Sequence, residues 1–375
     1  MNEAERLHHD SLVVDAHSDL LMLVSLRPET QQSRYFRAHW IPQLRAGGID
    51  VQCLSVFVGE DIAPESMLRR TLRMIECAHR IAEQNGDQVT LCLTGADVDS
   101  AVAAGRIALV LALEGCDAIG VDVELLQTMF RLGVRMASLT HFGRNPLADG
   151  SAEEETHSRL TRAGLDAVTV MERIGMLVDV SHLAGSGVDH LVRHARRPVV
   201  ATHSSAWVQR PHHRNLTDER LRALAQSGGI VGVAFVAGLI DPDRPTMSRV
   251  VDHIAHVVSV AGIEHVGLGP DFVKEVHEET LRSYGASDDV GFDRRRFVPG
   301  LGGPEGLPKV TVALLNHGFS ADQVRLILGE NWVRLFRAQL GIPGDAQQER
   351  SSMPAEACWL RPTDNMPATH RRDQR

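Results

Sequence analysis

Lysine is almost missing from this 375-residue chain: only Lys274 and Lys309 occur, so arginine carries nearly all of the positive charge. Cysteine is scarce as well. The five (Cys53, Cys77, Cys92, Cys116 and Cys358) are odd in number and scattered, and no two stand in a Cys-x-x-Cys spacing. That excludes a disulfide framework and a thiolate zinc site. Positive charge is in deficit, 39 Lys and Arg against 48 Asp and Glu for a net −9, which argues against a nucleic-acid-binding surface. The short basic clusters at Arg193–Arg197 and Arg294–Arg296 read as solvated faces. No apolar run is long enough to span a membrane. Met1–Asp10 has neither a basic n-region nor an apolar h-region, so no signal peptide is visible and the cytoplasm is the expected location.

What remains is ordinary globular composition, 43% hydrophobic and 23% charged, with ample length for one large core. Eight short apolar runs have strand length: Leu12–His17, Val51–Val58, Ile107–Glu114, Val134–His141, Met176–His182, Pro198–His203, Ile230–Val236 and His265–Asp271. Most are near-continuous in Val, Ile, Leu and Ala, as strands covered on both faces are. Helical patterns lie between them at Glu65–Asn85, Ser158–Ile174, Thr217–Ser227 and Asp252–Gly262, with Gly or Asn stops. Eight strand–helix units imply right-handed crossovers and a (β/α)₈ TIM-type barrel. The polar stretch 272–306 reads as a loop or lid, and Ala321–Gly341 as a closing helix. Residues 1–341 are thus expected to form a single barrel domain, and the Gln-, Pro- and Arg-rich residues 342–375 a largely disordered tail.

The telling feature is where the runs end. They finish in His17 and Asp19, Glu114, His141, His182, His203 and Asp271. In a barrel these ends share the face that carries active sites. Polar side chains in such runs are costly unless paired or ligated. One of them alone would read as a satisfied core histidine or a helix cap, but six runs of eight are hard to explain that way.

His17 and Asp19 lie two apart and so on one side of a strand, a ligand pair for one metal. Asp15 has the same parity and reads as an orienting group behind them or as a buried hydrogen-bonding group. His182 and His203, at the ends of consecutive strands, offer two imidazoles to a second metal, with Glu114 the carboxylate available to bridge. A carbamylated lysine bridge is excluded, because both lysines follow the last strand. The nitrogen and oxygen donor set suits two Zn²⁺ ions best, with Mn²⁺, Fe²⁺ or Co²⁺ as alternatives. Such a pair makes a nucleophile of water by lowering its pKa from about 15.7 toward about 7, a metal-bridging hydroxide being the expected attacking group. Asp271 then suits a proton shuttle and His141 a donor to the developing oxyanion. Arg214, in the loop before Thr217, a fitting N-cap, can grip a substrate carboxylate, or pair structurally with Asp218 or Glu219. His212 and His213 read as surface residues.

These stretches resemble the membrane (renal) dipeptidase family of dinuclear zinc peptidases, within the amidohydrolase-like barrels. The resemblance runs from about Leu12 to Phe336 and rests on Val14-Asp15-Ala16-His17-Ser18-Asp19, Leu44-Arg45-Ala46-Gly47-Gly48, Leu113-Glu114-Gly115, Leu139-Thr140-His141, Asp179-Val180-Ser181-His182, Thr202-His203-Ser204, Arg214-Asn215-Leu216-Thr217-Asp218, Gly267-Leu268-Gly269-Pro270-Asp271-Phe272 and Gly329-Glu330-Asn331-Trp332. It implies that His17 and Asp19 hold one zinc, His182 and His203 the other, and that Glu114 bridges. It further implies that His141 contacts the tetrahedral intermediate, Arg214 the C-terminal carboxylate of a dipeptide, and Asp271 the proton. Dipeptide substrates, often with a C-terminal D-residue, and a homodimer are the family's habits. Pro270 before the aspartate and Val273-Lys274 after it depart from the family's usual Gly-Ser-Asp-Phe-Asp-Gly. Two other readings stand beside the dipeptidase. One is a related amide hydrolase, such as an N-acyl-D-amino-acid deacylase or a tailoring enzyme on peptide metabolites. The other is a non-catalytic scaffold barrel.

Overall fold

A computed structural model describes residues 2–59, 64–284 and 295–342. The strands are β1 (Val14–Asp15), β2 (Val51–Phe57), β3 (Val89–Leu91), β4 (Ile107–Glu114), β5 (Val134–Ser138), β6 (Leu177–Asp179), β7 (Val199–Ser204), β8 (Val231–Val233) and β9 (Val266–Leu268). Eight of them pair in parallel in the order β1-β2-β4-β5-β6-β7-β8-β9. The circuit closes where the Ala16 N–H donates to the Leu268 carbonyl at 3.2 Å. The result is the expected (β/α)₈ barrel with all eight expected strands in place.

The ninth strand, β3, was not expected. It pairs with the first residues of β4, Val89 opposite Ile107, before β5 takes over that edge at Leu111. Three residues are too few to show a period, and only a short turn separates them from the helix Pro64–Gln84. The stretch after β9 also departs from expectation. Lys274–Tyr284 is a helix and not a loop. Its apolar signal is thin, but Val276 is buried, and pairs from Lys274 to Glu278 (3.0 Å), His39 to Glu275 (2.7 Å) and Arg27 to Glu279 (3.6 Å) support it. From residue 343 onward the tail lies outside the described residues.

Strand parity sets the core. On β4, Ala108, Val110 and Ala112 join Val51, Cys53, Met136 and Val200 in one cluster, while Ile107, Leu109, Leu111 and Leu113 face the other way into the helix layer. The first set is the barrel interior, which Trp332 and Phe336 of the closing helix share. Glu114 continues the inward parity to the mouth, and so does Ser55 on β2. The helices start at threonine caps, Thr161, Thr217 and Thr246, each accepting a backbone N–H three residues on. Among the described residues no helix is long and apolar enough to cross a membrane.

Candidate metal centre

Glu114 Oε1 is the point on which the mouth converges. It lies 2.9 Å from His182 Nε2 and 3.5 Å from both His17 Nε2 and His203 Nε2. Its other oxygen accepts the Ser55 hydroxyl at 2.8 Å. His17 Nε2 also stands 3.7 Å from Asp19 Oδ1 and 3.9 Å from Asp271 Oδ1. The His17 and His203 rings lie 3.7 Å apart. Three triads, His17–Asp19–Glu114, Glu114–His141–His182 and His17–His203–Asp271, each gather their donor atoms within 4.8 Å. The structure therefore brings together all the residues singled out at the strand ends.

Three observations fit divalent cations here. First, His17 Nε2 and Asp19 Oδ1 are buried with no hydrogen-bond partner, an expensive state unless something else binds them. Second, His182 Nε2 and His203 Nε2 face each other at 2.9 Å. Burial first, then Arg214 for His182 and His17 for His203, hold both rings well below the usual histidine range, so they are neutral and keep lone pairs to offer. Third, three carboxylates surround one imidazole, that of His17. Burial alone would lower His17, yet Glu114, Asp19 and Asp271 push it up to about 10. Burial alone would raise Glu114, yet the charge on His17 holds it well below the usual carboxylate range. A proton on His17 thus stands where a metal ion would displace it.

Asp271 sits at φ 53°, one of two described non-glycine residues with positive φ. Such a conformation costs of order 1–3 kcal/mol and is found chiefly where surrounding structure enforces it. The strands pack closely just before it: a Cβ on Gly269 would lie 1.7 Å from the Thr202 carbonyl oxygen. Burial raises the Asp271 carboxyl to about 7, against the lowering effect of His17. His141 is half-buried, its ring 4.3 Å from that of His182 and 4.4 Å from Phe57. Asp15 is fully buried, its carboxyl raised to about 7 by burial, and it accepts the His17 backbone N–H at 3.1 Å. It therefore shapes the turn behind His17 through the main chain.

Arg214 is 3% exposed. Its guanidinium donates to the His203 carbonyl (3.0 Å) and the Ser204 hydroxyl (3.4 Å), and lies 3.3 Å from His182 Nε2. Asp218 instead pairs with His256 and Arg222. Among the described residues no carboxylate lies within ion-pair distance of Arg214. Burial lowers it to about 10, so it remains charged. The surface reading of His212 is corrected: it is buried, and its Nδ1 accepts the Arg214 backbone N–H at 3.2 Å. His213, half-buried, stacks on it at 4.2 Å.

The loop that carries Arg214 is anchored by His253, whose Nδ1 accepts the Ala206 N–H and whose Nε2 donates to the Ile240 carbonyl, each at 3.1 Å. Burial lowers His253 to about 4. Between pH 6.5 and 4 the unfolded chain therefore takes up a proton that the folded one refuses, and stability falls as pH falls through that window. At 1.36 kcal/mol per pH unit the loss is about 3 kcal/mol. Urea unfolding of metal-free protein at pH 7 and pH 4.5 should show a steeper drop for wild type than for His253→Gln. Equal drops would place the acid-sensitive group elsewhere.

Sequence reasoning passed over Asp179. Its carboxylate is buried at the end of β6 and accepts four hydrogen bonds, from the N–H and hydroxyl of Ser181 and of Thr202. The signal is a carboxylate inside the apolar run Met176–His182, three residues before its closing histidine.

A family model for membrane dipeptidases (peptidase family M19) matches residues 1–284. Among curated relatives, dipeptidase verJ of Clonostachys rogersoniana is 29% identical over 352 residues, covering 89% of this chain and 86% of that protein. Dipeptidase tcpJ of Claviceps purpurea is 32% identical over 280 residues, covering 74% of this chain and 61% of its own length. Among solved structures, dipeptidase AC, a metallopeptidase, superposes with TM-score 0.76 at 25% identity, covering 88% of this chain and 99% of that one. A metallopeptidase from Rhodobacter sphaeroides, liganded with a phosphinate mimic of the dipeptide L-Ala-D-Ala, superposes with TM-score 0.75 at 25% identity, covering 88% and 100%.

Proposed function

The chain belongs to the membrane dipeptidase family, and from that premise we propose that it is a two-zinc dipeptidase acting on dipeptides with a free C-terminal carboxylate, D-residues included at that position. The observation that carries the substrate class is Arg214: a charged, buried guanidinium with no carboxylate partner among the described residues, 3.3 Å from an imidazole of the centre. A terminal carboxylate supplies the missing partner. The Rhodobacter sphaeroides neighbour, liganded with an L-Ala-D-Ala mimic, supports the same class.

In this reading His17 and Asp19 hold one ion, His182 and His203 the other, and Glu114 serves both. Two divalent ions, when bound, supply Lewis acidity at the scissile carbonyl and a low-pKa water. Asp271 holds and passes on the proton that moves from the attacking water to the leaving amine, a task its pKa of about 7 suits. His141 donates to the oxygen that gains charge as the carbonyl is attacked. Arg214 fixes the substrate by its far end.

The test pairs two substrates with two proteins. Arg214→Met keeps much of the bulk and removes the charge, so kcat/KM on a free dipeptide should fall roughly ten- to two-hundredfold, the range of one hydrogen bond to a charged group. Wild type should discriminate by a similar factor against the C-terminally amidated dipeptide, and the variant should lose that discrimination, because both changes remove one interaction. An undiminished preference for the free acid in Arg214→Met rules out the carboxylate role. N-acylated D-amino acids cleaved faster than any dipeptide would favour the deacylase reading.

A further inference from the structure

We infer that Asp179, acting through the Thr202 hydroxyl, fixes the tautomer of His203 so that its Nε2 lone pair faces the metal centre, and that this makes Asp179 a positioning residue for one of the two ions only. The inference rests on the two-metal reading above. It comes from counting protons. Asp179 Oδ1 accepts the Ser181 N–H (3.0 Å), the Ser181 hydroxyl (2.5 Å) and the Thr202 N–H (3.0 Å), while Oδ2 accepts the Thr202 hydroxyl (2.5 Å). Among the described residues no cationic side chain lies within ion-pair distance, so these four donors are the carboxylate's direct partners. Thr202 has one hydroxyl proton and spends it on Asp179. Toward His203 Nδ1, 2.9 Å away, its oxygen can then only accept. His203 must therefore carry its proton on Nδ1, leaving Nε2 unprotonated beside Glu114 and His182.

The same count explains the rest of the network. Ser181 also spends its proton on Asp179, which leaves its oxygen free to accept the His203 backbone N–H at 3.1 Å. Ring and main chain of His203 are thus both tied to one carboxylate across the β6–β7 junction. All four residues are buried, so water does not compete.

The other two imidazoles lack this arrangement. His182 Nδ1 is buried without a hydrogen-bond partner, and Asp15 bonds the backbone of His17. The relay therefore acts on the His182–His203 side and leaves the His17–Asp19 side alone.

Zinc titration of metal-free protein against a chromophoric chelator tests this in wild type, Asp179→Asn, Thr202→Val and Thr202→Ser. Wild type should bind two ions. Asp179→Asn and Thr202→Val should weaken one of them ten- to a hundredfold, the usual effect of losing an outer hydrogen-bond partner, and leave the other unchanged. Thr202→Ser should restore the wild-type pattern. Nitrogen-15 NMR of histidine-labelled, metal-free protein gives a second readout: His203 protonated on Nδ1 in wild type and Thr202→Ser, and a tautomer mixture in Thr202→Val. Unchanged affinities in Thr202→Val, equal weakening of both ions, or a wild-type His203 protonated on Nε2 would each overturn the inference. A wild type that binds no zinc would overturn the two-metal reading instead, with the NMR still deciding the relay. Should Asp179→Asn fail to fold, the two Thr202 variants carry the test.

Discussion

Asp271→Asn is expected to lower kcat by roughly 10²–10⁴, the usual range for a lost acid–base group, with metal content unchanged. The substitution is chosen for the backbone as much as for the charge. Asp271 stands at φ 53°, and asparagine is among the few residues that tolerate the left-handed region as well as aspartate does. A change to leucine would mix lost chemistry with strain. Asparagine keeps the size, keeps an acceptor oxygen and removes only the ability to take and return a proton. Its amide nitrogen cannot serve as a base, so a lower pH should not restore turnover. Metal analysis after gel filtration, together with kcat on a good dipeptide substrate, checks the prediction. A variant with normal metal content and near-normal kcat would move the proton transfer to another group. One that had lost its metals would instead make Asp271 a ligand, consistent with its Oδ1 lying 3.9 Å from His17 Nε2.

Glu114→Ala should cost the metals as well as the rate. Three imidazole nitrogens, one from His17 and two from the His182–His203 pair, lie 2.9–3.5 Å from a single oxygen of this carboxylate, so its removal weakens both candidate ion positions together. The variant should come through dialysis with fewer than two ions per chain. Several kcal/mol of Lewis-acid stabilisation would go with them, or about a thousandfold and more in rate at 1.36 kcal/mol per decade. Elemental analysis of dialysed wild type and variant, with kcat/KM on one dipeptide, measures both. Two tightly held ions in Glu114→Ala would show that the carboxylate does not serve both positions, whatever happened to the rate. Ser55, whose hydroxyl donates to the other oxygen at 2.8 Å, supplies a milder comparison: Ser55→Ala leaves the charge in place and should keep both ions.

The sequence by itself determined the barrel and the set of polar residues that gather at its mouth. A strand buried on both faces reads as a short apolar run, and that signal sits within a few residues of chain. A histidine or carboxylate ending such a run stands out against it, which is why His17, Asp19, Glu114, His141, His182, His203 and Asp271 were legible without coordinates. Thr217 was legible as a cap for the same local reason.

Only the tertiary structure decided the rest, because the rest depends on residues far apart in the chain. The strand Val89–Leu91 exists by virtue of its pairing with β4, and the helix Lys274–Tyr284 is held by partners as distant as Arg27 and His39. His212 looked like a surface residue until the loop folded it beneath Arg214. Arg214 itself had two readings, and what separates them is that Asp218 turns to His256 and Arg222 instead. Asp179 shows the division best. Its place at a strand end is a property of the sequence. Its hold on His203 is a property of geometry, since a hydroxyl with a single proton, on the neighbouring strand, dictates which nitrogen of the ring is free.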